Sequence, residues 1–571
     1  MGIPSYFSYI IKNYPNIIRN LNYFNDKSIH HLYMDCNSII YDAVYSMDKQ
    51  DFEELNTIHF ENNIINQVIN NIKIYIDIIR PSKTIFIAFD GVAPFAKMDQ
   101  QRTRRYKSYF MSKNSFVKKD ENKINCWNTS AITPGTQFME KLSKSIEYEF
   151  KFTEKKYNCN SIIVSCSNEV GEGEHKLFNH LRTNQFQNDS VAVYGLDADL
   201  IMLSIFNLKY CKNIFVFREA PEFLKSSIPI DILGKDTDPY FLDIEHLSSC
   251  ILNEMACKYP DDRRIYDYVF LCFFLGNDFL PHFPAMNIRT HGIQGLLDVY
   301  RNCIGNNPTK FLINNNKIQW RNVSIFINEI AKCEHELLLN EYFVRDKFDK
   351  RHLLETTPQE KDDIINSVPI ICRQKEKYIC PNELYWENRY YKSLFGFTPL
   401  HISNAHSVSS LPLETCQQEG VSNVQRCNKN SENLKELCNN YLEGLEWVYK
   451  YYSDSCPDWR WKYNYHYPPL FIDLSKYIPH FETDFIVPNK NSNKPFSNLA
   501  QLSYVMPSSN LELLPNNICI FLKNNYPELY PEKYDFEWAF CRYFWEAHPL
   551  LPDIPLSLLE QWEIQFELCK Q

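Results

Sequence analysis

An α/β fold, with a central, mostly parallel sheet flanked by helices, is predicted by three features of the sequence. Over the first 300 residues, short β-rich apolar runs alternate with longer stretches of helical period, as in IIVSC at 162–166 followed by HKLFNHLR at 175–182. That alternation is the pattern of strands joined by helical crossovers. Several runs also end in a carboxylate: HLYMD at Asp35, TIFIAFD at Asp90 and VAVYGLD at Asp197. Strands that end this way bring negative charge to one sheet edge, and in open α/β sheets ligands bind outside the carboxyl ends of the strands.

The remaining chain is of a different kind. Residues 301–380 read as a connecting helical segment, with patches such as VSIFINEIAKCEHELLLNEYF. Residues 381–571 form a second, mixed helical and aromatic-rich region expected to pack against the first. Within it, the polar stretch 402–434 reads as a mobile surface loop, and WVYKYYSDSCPDWRWKYNYHYPP at 447–469 concentrates aromatic side chains. With 571 residues, 44% hydrophobic and 15% aromatic, the chain can bury a large interior and is not of disordered composition. Its net charge of −10 excludes a global basic field, so a nucleic-acid partner would need a local patch. The 19 cysteines contain no C-x-x-C pair, which argues against zinc ribbons and for reduced, mostly buried thiols.

The start, MGIPSYFSYIIKNYP, lacks the basic and apolar segments of a secretory leader, and Tyr6 stands where a myristoylation motif requires Ser or Thr. The apolar run Tyr268–Leu275 is far shorter than the ~20 residues of a membrane span. A cytoplasmic protein without a membrane partner is therefore expected, with the nucleus as the alternative, because no separate basic import cluster is evident. The sequence leaves protein partners and oligomeric state open, a monomer being the simplest reading.

Seven acids are the candidate metal ligands: Asp35, Asp90, Glu172, Glu174, Asp197, Asp199 and Asp278. In GLDADL, alternate residues of an extended chain would point Asp197 and Asp199 the same way, and Glu172 and Glu174 in GEGEHK could do likewise. Each has an ordinary alternative, since an Asp after a strand often caps a helix and a Glu is favourable near a helix N-terminus. Gathered in one cleft, however, such like charge requires cations or basic partners. Hard oxygen ligands suit Mg²⁺ or Mn²⁺, and paired ions of this kind cleave phosphate esters.

The segment KMDQQRTRRYK follows Asp90 closely. Lys97, Gln101, Arg104 and Arg105 recur at spacings of three and four, so a helix places them on one face, where their donors match a phosphate monoester. Alone, a charge run is usually a solvated face; beside a carboxylate cluster it reads as an anchor. Among Trp447, Trp459, Trp461, Tyr463, Tyr465 and His466, most are expected in the core and one or two against nucleic-acid bases, where stacking contributes ~1–3 kcal/mol per base.

Taken in order, MGIPSYF, YMDCNSII, FDGVAPFAKMDQQRTRR, ITPGTQFMEKL, EVGEGEHK, YGLDADLIML and FLGNDFLPHFP resemble the first region of the XRN family of 5′→3′ exoribonucleases, relatives of the flap endonucleases. GLEWVYKYYSDSCPDWRWKYNYHYPP, PFSNLAQLSYVMPSSNLELLP, YPEKYDFEW and FWEAHPLLPDI resemble its second region. The resemblance implies a nuclease core of the PIN and flap-endonuclease type. It implies two Mg²⁺ ions, with Mn²⁺ as a substitute, on the seven acids, which together with Lys97 form the catalytic set. It further implies a pocket of Lys97, Gln101, Arg104 and Arg105 for the 5′-monophosphate of single-stranded RNA, with Tyr41 and Trp447 as base-stacking residues. Three departures stand out: Tyr41 replaces the usual His, Phe95 replaces a usual Arg, and EVGEGEHK lacks the proline before its first Gly. A structure-specific flap nuclease on DNA and an inactive RNA-binding scaffold are the competing readings.

Overall fold

The computed structural model describes the chain apart from residues 1, 4, 26, 48–56, 115–126, 196, 220–238, 350–371, 400–422, 488–492 and 569–571. Its centre is a seven-stranded sheet of β1 (Ile18–Arg19), β2 (His31–Asp35), β3 (Thr84–Ala88), β4 (Ser161–Ser165), β5 (Ser190–Tyr194), β6 (Asn213–Glu219) and β7 (Pro239–Asp243). The spatial order is β1-β7-β6-β5-β2-β3-β4. The pairs from β6 through β4 are parallel, whereas β7 lies antiparallel to β6 and β1 antiparallel to β7. The predicted mostly parallel sheet is the one observed.

Side chains alternate across this sheet as the pleat requires. Tyr33, Val191, Val193, Ile214 and Val216 face one core, while Leu32, Met34, Ala192, Phe215 and Phe217 face the other. Burial on both faces explains why these strands read as continuous apolar runs rather than as half-polar ones. The second face is covered by α1 (Thr57–Ile79), whose Ile64, Val68, Ile72 and Ile76 recur at helical spacing and are buried.

Three helices matter for the site: α2 (Phe95–Asn114), α3 (Gly173–Asn184) and α4 (Ala198–Asn207). The first core then runs on through α5 (Arg264–Cys272), α6 (Trp320–Asp349) and α7 (Asn423–Ser453), so that it joins residues from Ile3 to Phe540. A third core packs Phe95 and Met98 of α2 against α8 (Asn498–Val505) and α9 (Leu556–Leu568).

The polar stretch 402–434 departs from expectation where it is described. Residues 402–422 lie outside the described residues, but the chain is helical from Asn423. Leu434, Leu437, Cys438, Tyr441, Leu442 and Leu445 are buried at spacings of three and four, and this stripe anchors the polar first turns of α7. No helix among the described residues is long and apolar enough to cross a membrane.

Candidate active site

Four adjacent parallel strands, in the order β5-β2-β3-β4, point their carboxyl ends at one edge. Asp35 ends β2, Asp90 follows β3, Asp197 follows β5, and Glu172 lies in the connection after β4. Chain order reverses between β2 and β5, which makes this edge the switch point where such sheets place ligands.

The two acidic pairs are built differently from the sequence expectation. Neither is extended. Glu172 is the N-cap of α3 with Glu174 in its first turn, and Asp197 is the N-cap of α4 with Asp199 in its first turn. Neither N-cap side chain caps its own helix. The same turn is thus used twice, and in each case the positive end of the helix dipole favours a carboxylate that does not cap its own helix. Gly173 separates the glutamates, and a Cβ there would lie 2.7 Å from Oδ1 of Asp35. Gly2 is equally constrained: it has φ +51°, and a Cβ on it would lie 2.5 Å from Oδ1 of Asp199.

Asp90 is fixed by neighbours. Its Oδ1 accepts from the backbone N–H of Gly173 at 2.7 Å, its Oδ2 accepts from the Asn37 amide, and its own N–H donates to Asn37 Oδ1 at 3.1 Å. Asp278 arrives by another route. After α5 the chain turns at Gly276, φ +83°, and Asn277 Oδ1 accepts from the N–H groups of Phe279 and Leu280 at 2.9 Å each, closing a loop around the aspartate.

Lys97, from the first turn of α2, bridges the set. Its Nζ lies 2.6 Å from Oε2 of Glu172 and 2.9 Å from Oδ2 of Asp278. Burial opposes its charge, but Asp278, Glu172, Glu174 and Asp199 together hold its pKa well above the ordinary value. Burial pushes Asp278 up, but the same ammonium, with Arg104 and other nearby positive charge, keeps that carboxyl well below the usual range.

The other acids show the cost of crowding. Burial, then Asp90 and Asp197, push Asp35 up; burial, then Asp199 and Glu172, push Glu174 up; burial and Asp278 raise Asp199 to about 7. Each of the seven therefore acts on at least one other, and the sequence-predicted acids form one connected cluster. Glu172, Glu174 and Asp199 are only 4%, 8% and 2% exposed. Oδ1 of Asp35 is buried with no hydrogen-bond partner, an open acceptor in a pocket of carboxylate oxygens. A site of oxygen donors with excess negative charge and an open acceptor fits hard divalent cations.

The predicted basic face lies on α2 as the spacing required. Its members are not equivalent. Lys97 is committed to two carboxylates, whereas Arg104 is exposed. Arg105 donates through Nη2 to Thr133 Oγ1, while its Nε and the Oε1 of Gln101 are buried without partners. Burial pulls Arg105 down to about 10, and neighbouring Tyr41 acts against that shift. Tyr41 is half-buried beside this face.

Trp447 corrects an expectation. It is fully buried, its Nε1 donates to the Asp458 carbonyl at 2.8 Å, and it stacks on Tyr451 and Trp461 with ring centroids 4.7 and 5.3 Å apart. It is not placed to receive a base; the packing of α7 demands its large apolar surface. Phe95, which lacks the positive charge expected there, packs on Tyr504 and Phe496, and the Lys462 ammonium lies 5.3 Å above its ring.

Sequence reasoning missed three contributors. Tyr451 donates its hydroxyl to Oε1 of Glu172 at 2.5 Å, and Tyr452 donates to Oδ1 of Asp199. His175 stacks on Tyr451 at 3.7 Å, and one of its ring nitrogens lies within 4.8 Å of a carboxylate oxygen of Glu172 and of one of Glu174. The aromatic density at 447–469 was the available signal, but it pointed to ring faces and not to hydroxyl groups.

Comparison with known proteins places the chain in a family. The family model described as XRN 5′-3′ exonuclease N-terminus matches residues 1–220, and that of the Xrn1 helical domain matches residues 258–396 and 421–563. The chain belongs to the XRN family of 5′-3′ exoribonucleases. It is similar to the 5′-3′ exoribonuclease 2 homolog of Drosophila melanogaster, 24% identical over 97% of this chain and 69% of that protein. It is also similar to 5′-3′ exoribonuclease 1 of Saccharomyces cerevisiae, 25% identical over 90% of this chain, and to that of Homo sapiens, 24% identical over 99%. The chain spans 40% and 34% of those two longer proteins.

Proposed function

We propose that this protein is a processive 5′→3′ exoribonuclease that hydrolyses 5′-monophosphorylated single-stranded RNA to nucleoside 5′-monophosphates. The observation that carries this reading is the seven-carboxylate cluster bridged by Lys97, with Gln101, Arg104 and Arg105 on the same helix. Family membership supports the direction of attack and the RNA substrate.

Asp35, Asp90, Glu172, Glu174, Asp197, Asp199 and Asp278 would hold two Mg²⁺ ions, with Mn²⁺ as a substitute. When bound, such ions supply Lewis-acid activation of water and neutralise charge on the leaving oxygen. Lys97 holds Glu172 and Asp278 in register and offsets charge that develops on the scissile phosphate. Gln101, Arg104 and Arg105 hold the 5′-monophosphate and so set which phosphodiester reaches the carboxylates. Tyr41 offers a ring to the terminal base. A cap or triphosphate exceeds what this small donor set can enclose. Each cut leaves a new 5′-monophosphate on the shortened strand, so the same contacts re-form and degradation continues. We place this activity in the cytoplasm, with the nucleus as the alternative.

One RNA bearing a 5′-monophosphate, a 5′-triphosphate or a 5′-hydroxyl tests the reading, with and without EDTA. Rapid loss of the monophosphorylated form alone, abolished by EDTA, is expected. Preferential cleavage of a DNA flap junction, or turnover indifferent to Asp35→Ala, would replace it with the competing readings.

A further inference from the structure

Three cationic side chains of α2 are held in three different ways. Lys97 is paired with the carboxylates of Glu172 and Asp278. Buried Arg102 donates to the carbonyls of Pro552 at 3.0 Å and Leu529 at 3.3 Å, a strut to the second region. Arg105 donates through Nη2 to the hydroxyl of Thr133, a neutral group, and no carboxylate among the described residues pairs with it. Its Nε is a buried donor without a partner. A carboxylate in the place of Thr133 would also hold the guanidinium, but it would cancel the charge. A hydroxyl orients the group and leaves its charge for another anion.

Thr133 is buried and is itself fixed by its neighbours. Its single proton goes to the Ser130 carbonyl at 2.7 Å, so Oγ1 meets Arg105 as an acceptor and has nothing left to donate to a phosphate. The Ser130 carbonyl belongs to a short turn, Thr129–Ala131, which Asn128 caps by accepting from the Ser130 N–H at 3.0 Å. Thr136 closes the loop, donating to the Ala131 carbonyl at 2.6 Å and the Thr133 carbonyl at 3.0 Å while capping the helix Gln137–Phe150. The second region pins the loop from outside. Asn510 Nδ2 donates to Ser130 Oγ at 2.6 Å, and a Cβ on Gly135 would lie 2.7 Å from that of Asn498 in α8. A loop held at so many points presents Oγ1 at one place, and the guanidinium in one orientation.

We propose that Thr133 determines specificity for the RNA 5′ end by positioning Arg105 with its charge uncancelled, and that Asn510 of the second region holds Thr133 in place. Given the 5′-monophosphate reading of this face, on which the role rests, the orphaned Nε of Arg105 is the donor that a terminal phosphate completes. Thr133 acts through Arg105 and not on the phosphate, so it is a positioning residue. The second region thereby reaches end recognition through a chain of hydrogen bonds, Asn510 to Ser130 Oγ on one side of the turn and Thr133 to the Ser130 carbonyl on the other.

Thr133→Ser, Thr133→Val and Thr133→Asp test the role in the full-length protein. Fluorescence anisotropy measures binding of one labelled RNA with a 5′-monophosphate or a 5′-hydroxyl, in EDTA so that the ends stay intact. The readout is the ratio of the two affinities, which a loss of general stability does not move. Thr133→Ser keeps the hydroxyl and should keep the wild-type ratio. Thr133→Val keeps the shape without the acceptor, and the ratio should fall about tenfold. Thr133→Asp grips the guanidinium harder but neutralises it, and the ratio should fall toward one. A wild-type ratio in either Thr133→Val or Thr133→Asp overturns the proposal. If neither variant folds, Asn510→Ala decides it: the ratio should fall several-fold, and an unchanged ratio overturns the proposal equally. A ratio near one in the wild-type protein removes the phosphate pocket itself, and the role of Thr133 with it.

Discussion

The hydroxyl of Tyr452 donates to Oδ1 of Asp199, tying the last turn of α7 to the first turn of α4 across 253 residues of chain. Tyr451 does the same for Glu172 one residue earlier. Burial and the adjacent carboxylates raise both phenols far above their ordinary range, so they remain donors at any working pH. The second region thus supplies two of the hydrogen bonds that orient carboxylates of the first.

Tyr452→Phe keeps the ring and removes only that donor. Outer-shell partners of ligating groups typically contribute ~10–100-fold to metal affinity or activity. RNA turnover should fall by that order, and the Mg²⁺ concentration for half-maximal rate should rise. Far-ultraviolet circular dichroism should match wild type. An unchanged Mg²⁺ titration would mean that Asp199 is oriented by other contacts.

Asp199 itself gives a pH signature. Its pKa in the folded chain is about 7, above the ordinary carboxylate value near 3.9. A carboxyl raised by folding favours the folded state while protonated and opposes it once ionised, so the metal-free protein should lose stability as pH rises from about 4 to 7. In Asp199→Asn this loss should be reduced, with a higher melting temperature than wild type at pH 8 in EDTA and little catalysis in Mg²⁺. Thermal unfolding of both proteins at pH 5 and pH 8 measures the difference, and parallel curves would count against the crowded cluster.

Lys97→Met leaves Glu172 and Asp278 without their shared counter-charge. Breaking a buried ion pair from one side costs about 3–5 kcal/mol. The variant should melt well below wild type in EDTA and regain much of the difference in Mg²⁺, since divalent ions take over the neutralising role. A variant equally destabilised in both conditions would make Lys97 a purely structural residue.

The sheet and the identity of the acids were legible because both are local signals. β2, β3 and β5 are apolar runs with a carboxylate just past the end, and Lys97, Gln101, Arg104 and Arg105 have a helical period. The local conformation of the acidic pairs was not legible, because GLDADL and GEGEHK fit an extended chain as well as a helix start. The pairing of Tyr451 with Glu172 joins positions 279 residues apart and leaves no mark on local periodicity. Trp447 was misassigned for a related reason: an aromatic-rich stretch does not say which rings turn inward.

Arg104→Ala and Arg105→Ala should act on end recognition. Hydrogen bonds to charged groups contribute about 1.5–3 kcal/mol, which is ~10–100-fold in affinity. KM for 5′-monophosphorylated RNA should rise by that order, whereas slow cleavage of 5′-hydroxyl RNA should be unaffected. Equal losses on both substrates would remove the arginines from end recognition.

The placement of Tyr451 and Tyr452 late in the chain has a consequence for synthesis, which runs from the N-terminus. A nascent polypeptide that has emerged as far as residue 300 holds all seven clustered acids but neither phenol, and it also lacks the apolar stripe of α7 that completes the large core. We expect such a protein to be inert toward RNA while still attached to the ribosome, and therefore harmless to the message encoding it. A fragment of residues 1–300 should leave 5′-monophosphorylated RNA intact, and adding residues 301–571 as a separate chain should restore cutting only if the two parts assemble.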